Sequence, residues 1–276
     1  MAVLPIPNFF VFNDEIKPTE VFVAGENEGG IYEVLRVLKG IPLFMEDHLE
    51  RFYHSAQLAG KTISFSENQI KEFLKKLIRK NEAEEGNILI SCKINLKAFF
   101  IPHNYPTEEM YFEGVSCGLL KAERENPNAK VFQTTVRQQA DKMLVDNGFY
   151  EVLLVDHQGK ITEGSRSNVF FVKGNELLTA PPEKILMGIT RQKAIRLAKN
   201  LSIKVNEREI DLAEMSNYDA AFITGTSPKI LPIKKVDSIK NFEQVTFNPQ
   251  NEIVRKLMKS YDDLIANYLN IHGNDR

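Results

Sequence analysis

The sequence predicts an α/β (α+β) chain of two lobes with mixed sheets. Three observations support this. Short apolar strands and amphipathic helical patterns alternate along the chain, without the regular period of a βαβ array. The texture changes near the middle, where 121–130 (KAERENPNAK) is polar and contains a proline. The length of 276 residues, 43% of them hydrophobic, is enough to bury a large core. The expected organisation is a small N-terminal lobe at 1–120, a linker at 121–130 and a larger C-terminal lobe at 131–276.

In chain order, 31–38 (IYEVLRVL) and 87–92 (NILISC) read as strands. Between them, Leu49, Phe52, Ala56 and Ala59 mark one helix. Ile70, Phe73, Leu74, Leu77 and Ile78 mark a second, at the i, i+3, i+4, i+7, i+8 spacing of a single apolar face. After the linker a helix is expected near 134–147, with Ala140, Met143 and Leu144 on one side. Strands follow at 151–155 (EVLLV), 168–172 (NVFFV) and 219–223 (DAAFI). A helix at 190–201 aligns Ala194, Leu197, Ala198 and Leu201, and a last one aligns Ile253, Leu257, Tyr261, Leu264 and Tyr268. The Phe-Phe pairs at 99–100 and 170–171 suit a core or an interface.

Composition excludes several classes of function. Thirty-five Lys and Arg against 37 Asp and Glu give a net charge of −2, so there is no electrostatic footprint for nucleic acid or an anionic membrane. No apolar run approaches the ~18 residues that would span a bilayer. The start lacks the basic region and small-residue cleavage site of a signal peptide, so a cytoplasmic location is expected. Cys92 and Cys117 then read as free core thiols. Five scattered His residues and two Cys offer no metal-ligand spacing.

Four places look unlike scaffold. Gly188-Ile189-Thr190-Arg191 opens a helical pattern. It could present N–H groups and a hydroxyl to an anion, or Thr190 could simply cap the helix. Thr224-Gly225-Thr226-Ser227-Pro228 follows an apolar strand, as either an oxyanion-binding loop or a polar turn. In Thr162-Glu163-Gly164-Ser165-Arg166-Ser167-Asn168, the carboxylate is either a solvated loop group or a partner for a protonated heterocyclic nitrogen. Finally, His48 and Arg51 share a face of the helix EDHLER. Arg51 could clamp a phosphate there or sit in surface Glu–Arg pairs. Neither glycine-containing loop fits the P-loop or the dinucleotide fingerprint.

Order and spacing give these places a common meaning. EVLLVDHQGKITEGSRSNVFFV, followed by ILMGITRQKAIRLA, VNEREI and ITGTSPKILPI, resembles the signature of the fold-type IV pyridoxal-phosphate enzymes, the class IV aminotransferases. The resemblance covers roughly Tyr32 to Asp237. It implies a two-lobed fold-type IV architecture, pyridoxal 5′-phosphate as cofactor and a homodimer.

The resemblance also implies roles. Lys130, 33 residues before Glu163, matches the lysine that holds the cofactor as a Schiff base and moves the substrate proton; Lys142 is the nearest rival. Glu163 matches the acid that pairs with the pyridinium nitrogen. Arg51, Ile189, Thr190 and Thr226 match the phosphate-binding groups. Tyr32 and Ser227 match substrate-facing residues, and Ser167 and Asn168 order the signature loop. After Lys130 this chain has Phe132, Gln133 and Thr134, where an Asn-Tyr or Asn-Leu pair is commoner.

The stretch SCKINLKAFFIPHNYPTEEM offers Lys93, Lys97 and His103 but no arginine for a substrate carboxylate, unlike the pattern of the D-amino-acid enzymes. The GTS at 225–227 is closer to the branched-chain enzymes. A branched-chain-like aminotransferase is the first expectation. Aminodeoxychorismate lyase, which eliminates pyruvate with the same cofactor and lysine, is the second.

Overall fold

The structure is a computed structural model, and it describes residues 4–24, 29–132, 134–237 and 243–273. The chain forms two compact units. The first comprises Met1–Asn104, Ala129–Phe132 and Leu264–Arg276; the second comprises Tyr105–Asn128 and Gln133–Asp263.

In the first unit the elements run β1 (Ile6–Phe12), β2 (Glu15–Pro18), β3 (Ile31–Leu38), β4 (Ile41–Pro42), α1 (Met45–Leu58), α2 (Glu67–Lys80), β5 (Glu85–Cys92) and β6 (Leu96–Ile101). The six strands form one sheet in the order β2-β1-β6-β5-β3-β4, antiparallel throughout. Period-2 alternation supplies both of its faces. Ile31, Leu35, Ile88, Ile90 and Phe100 pack with Leu49 and Phe52 of α1 and with Leu74 and Leu77 of α2. Phe10, Leu89 and Phe99 form a second cluster, joined by Val34 and Phe132. The pair at 99–100 is thus core on both faces. Ser66 starts α2 with a capping box, its side chain and that of Gln69 each bonding the other's backbone N–H.

The second unit holds α3 (Glu108–Glu113), β7 (Val115–Lys121), α4 (Thr134–Asn147), β8 (Glu151–Val155), β9 (Lys160–Gly164), β10 (Asn168–Lys173), β11 (Glu176–Thr179), α5 (Ile189–Asn200), β12 (Lys204–Glu207), β13 (Ile210–Asp211), β14 (Ala220–Gly225), β15 (Lys229–Val236) and β16 (Val245–Thr246). Helix α6 (Glu252–His272) closes the chain, its residues from Leu264 onward counting with the first unit. The sheet order is β12-β11-β10-β14-β15-β7-β8-β9-β13, with β16 on β15. Strand β7 runs parallel to β8 and β15, and β11 runs parallel to β12; the remaining pairs are antiparallel, so this sheet is mixed. Cys117, Leu153, Phe171, Ile223 and Leu231 belong to its main core. Phe170 and Phe222 stack with parallel rings 4.9 Å apart, so the pair at 170–171 is core as well.

The boundary expected at 121–130 falls elsewhere. Strand β7 lies inside the second unit's sheet, and the chain divides at 104/105. Residues 129–132 return to the first unit, where Phe132 N donates to Gly30 O at 2.9 Å and Tyr32 N donates to Lys130 O at 3.0 Å. Composition marks polar chain, but backbone pairing decides to which body it belongs. Among the described residues no helix is long and apolar enough to cross a membrane.

Candidate active site

Alternation along β3 turns Ile31, Glu33, Leu35 and Val37 to its buried side. Glu33 is therefore a fully buried carboxylate among apolar neighbours, a placement that demands a partner. Helix α1 supplies one. Arg51 donates from Nε to Glu33 Oε2 at 2.8 Å and from Nη2 to Oε1 at 2.7 Å. Val34 N donates to Oε1 at 2.9 Å. Burial by itself would raise the Glu33 carboxyl, but the contacts around it, led by the charge of Arg51, outweigh that and hold the group well below the usual carboxylate range. Buried His48 brings Nδ1 to 3.4 Å from Glu33 Oε1 without hydrogen-bond geometry. Burial pushes its own pKa down, against the pull of Glu33, which favours the neutral ring. Arg51 is thus anchored to a buried acid, not placed in surface pairs.

One turn beyond Arg51, Ser55 Oγ accepts from Lys130 N at 3.1 Å. Lys130 Nζ stands over the Tyr32 ring, 4.7 Å from its centroid. Tyr32 stacks in turn on Phe132 at 4.1 Å. The first unit thus brings Lys130, Tyr32 and the Arg51-bearing helix together. The rival Lys142 is exposed within α4. Gln133 lies outside the described residues. Lys97 donates to Val23 O at 3.0 Å, while Lys93 and His103 are exposed.

In the second unit Glu163 sits on β9 and is only 2% exposed, which removes the solvated-loop alternative. Arg124 Nε lies 3.1 Å from its Oε1. Leu186 N donates to its Oε2 at 3.1 Å, and Asn168 Nδ2 makes a longer contact of 3.4 Å. The acid lines a pocket of about 300 Å³ together with Arg124, Leu154, Thr162, Glu183 and Lys184.

The turn that follows is organised by Glu151, buried at the start of β8. Its Oε1 accepts from Ser165 Oγ at 2.6 Å, Ser165 N at 3.1 Å and Val152 N at 2.8 Å. Its Oε2 accepts from Ser167 Oγ at 2.8 Å and Arg166 N at 3.1 Å. Gly164 is required here because a Cβ would run into Ser167 Oγ.

Helix α5 has Gly188, not Thr190, as its N-cap, and no side chain caps it. Ile189 and Thr190 are the first two helical residues, both buried. Their region carries the uncompensated N–H groups and positive dipole end that suit an anion. Thr190 Oγ1 lies 3.3 Å from Tyr261 Oη. Arg191, fully buried, donates to Glu207 Oε1 at 2.6 Å and Ala180 O at 2.9 Å, bracing the segment that precedes the helix. Thr226 and Ser227 lie half-buried in the turn between β14 and β15.

Sequence reasoning missed Glu33, Arg124 and Glu151. Glu33 was detectable as a charge in the buried phase of an alternating strand. Glu151 was detectable only as a carboxylate opening an otherwise apolar strand. Arg124 carried no local signal.

The chain is similar to known proteins over most of its length. Residues 30–236 match the family model for amino-transferase class IV. The D-alanine aminotransferase of Bacillus licheniformis is 28% identical over 230 residues, covering 75% of this chain and 79% of its own. The "Probable branched-chain-amino-acid aminotransferase" of Thermotoga maritima is 30% identical over 253 residues, covering 87% and 88%. In fold, the chain superposes on the PLP-form branched-chain aminotransferase of Thermobaculum terrenum with a TM-score of 0.78, at 23% identity over 97% of this chain and 96% of the other. These relatives are aminotransferases, which does not favour the lyase alternative. The chain belongs to the class IV aminotransferases.

Proposed function

We propose that the chain exchanges an amino group between an amino acid with a branched-chain-like side chain and a 2-oxo acid, using pyridoxal 5′-phosphate. The observation that carries this is Glu163, a buried carboxylate lining a pocket with both oxygens held by donors. Such an acid suits a protonated ring nitrogen, and the uncapped start of α5 suits a phosphate, so the residues fit the cofactor. When bound, the cofactor supplies a ring that accepts the electron pair left as the substrate α-carbon loses its proton.

Each remaining role belongs to the chain. Lys130 Nζ is the covalent anchor and, once released, carries the proton taken from the α-carbon. Glu163 keeps a proton on the ring nitrogen. Arg51, the Ile189 N–H, and the hydroxyls of Thr190 and Thr226 bind phosphate, while Tyr32 and Ser227 face the substrate. The branched-chain preference rests on the absence of arginine in 91–110 and on the fuller match to the Thermotoga relative. A cytoplasmic homodimer completes the reading, and the free, buried Cys92 and Cys117 suit a reducing compartment.

A substrate panel tests it. The purified protein with pyridoxal 5′-phosphate and 2-oxoglutarate is offered valine, leucine, isoleucine, aromatic amino acids and D-alanine. Exchange fastest with the branched-chain set is the expected result. Exchange confined to D-alanine overturns the substrate assignment. Loss of the visible cofactor band in Lys130→Ala, with the fold retained, is expected; an unchanged spectrum rejects Lys130.

A further inference from the structure

Asn168, the first residue of β10, has one side of its amide in contact with two acceptors. Nδ2 donates to Leu186 O at 2.9 Å and reaches Glu163 Oε2 at 3.4 Å. Two acceptors on the same side identify that end as the nitrogen. Oδ1 faces Gly188, where a Cβ would collide with it. Leu186 N returns a bond of 3.1 Å to the same Glu163 oxygen. Asn168 is buried, so each of these bonds forms out of water, where an unmade one is costly.

We propose that Asn168 is a positioning residue for Glu163. Its amide ties the carboxylate to the 186–188 segment, so that the acid and the opening of α5 are held as one piece. The role assigned to Glu163 rests on the function proposed above, but the contact itself exists without cofactor. The proposal explains why an amide suits this position better than a carboxylate. An acid of the same shape would set a second negative charge beside Glu163 and beside a carbonyl oxygen. It also gives Gly188 a reason, since any side chain there would displace Asn168. Among the described residues, the charged groups near Glu163 include Arg124, which favours its ionised form, and Glu123, Glu183 and Lys184, which share its pocket.

The test measures Glu163 directly. In cofactor-free full-length protein, the carboxyl carbon of Glu163 is followed by NMR against pH, and its signal is assigned by its disappearance in Glu163→Gln. Asn168→Asp should raise the protonation midpoint by about one pH unit or more. Gly188→Ala, which attacks the same contact from the other side, should raise it in the same direction. In loaded protein carrying 15N in the cofactor ring, both variants should shift the ring-nitrogen signal toward that of Glu163→Gln. Their affinity for pyridoxal 5′-phosphate should fall roughly tenfold.

Far-UV circular dichroism checks that the variants fold. Asn168→Ala, which removes the donor without adding a charge and should raise the midpoint in the same direction, stands in for any that does not. Folded variants with an unmoved Glu163 midpoint and an unmoved ring-nitrogen signal overturn the proposal. Failure of the wild type to take up the cofactor would instead overturn the functional reading, leaving the cofactor-free titration to decide the role of Asn168.

Discussion

Arg51 and Glu33 form a two-point ion pair, Nε to Oε2 at 2.8 Å and Nη2 to Oε1 at 2.7 Å, with the carboxylate fully buried. The pair joins α1 to β3 and fixes the guanidinium expected at the cofactor phosphate. Such pairs are costly to break from one side, because the remaining charge stays buried. Glu33→Gln should destabilise the protein by roughly 3 kcal/mol, measured by urea unfolding of the full chain. A loss below about 1 kcal/mol would mean that the pair behaves like an exposed one.

The same pair makes stability depend on pH. The folded Glu33 carboxyl holds its proton far more weakly than the unfolded one, whose ordinary value is 4.5. As pH falls below that value the unfolded chain takes up a proton that the folded chain refuses. The contribution is therefore present at neutral pH and is lost progressively on acidification. Unfolding free energies at a series of pH values from about 6 down to about 3 should fall more steeply for the wild type than for Glu33→Gln. Parallel curves would show that other carboxylates dominate.

Glu151 holds the turn after Glu163 through four donors of that turn, and Val152 N of its own strand supplies a fifth. Glu151→Ala leaves them without their acceptor in a buried setting, and a loss of about 3 kcal/mol or more is expected by denaturant unfolding. Gly164→Ala strikes the same turn, since its Cβ would meet Ser167 Oγ and lie 3.0 Å from Glu151 Cδ. Both variants should also bind pyridoxal 5′-phosphate more weakly. Unchanged stability with unchanged cofactor affinity in Gly164→Ala would show that the turn yields freely.

Phe132 backs the Tyr32 ring over which Lys130 Nζ stands. Removing it in Phe132→Ala forfeits the stack and about 3 kcal/mol of packing. The freed Tyr32 ring should raise KM for the amino donor more than it lowers kcat, as read in steady-state kinetics. A fall in kcat at constant KM would place Phe132 nearer the proton-transfer step than to substrate binding.

The helices α1, α2, α5 and α6 and the strand β3 were legible because their apolar residues repeat at the spacing of the element itself, and β5, β8 and β10 because each is a short, nearly continuous apolar run. Strand β7 was legible in neither role nor place, because its neighbours β8 and β15 lie far from one another in sequence. The return of 129–132 to the first unit was hidden for the same reason: its partners are Gly29, Gly30 and Tyr32, about a hundred residues earlier. Among the site residues, the pattern of motifs marked Lys130, Glu163 and Arg51. It left open whether Glu163 was solvated, whether Thr190 capped α5, and where Arg51 found its counter-charge.

The order and chemistry of the motifs, and with them the family, were set by residue identity along the chain. Local sequence carries them because each motif is a short run of backbone and side chain. Tertiary structure alone decided the partners and orientations. A carboxylate at position 33, 151 or 163 is the same group in the sequence. Burial and the donors delivered by distant segments make one the counter-ion of Arg51, one the acceptor that fixes a turn, and one an acid poised in a pocket.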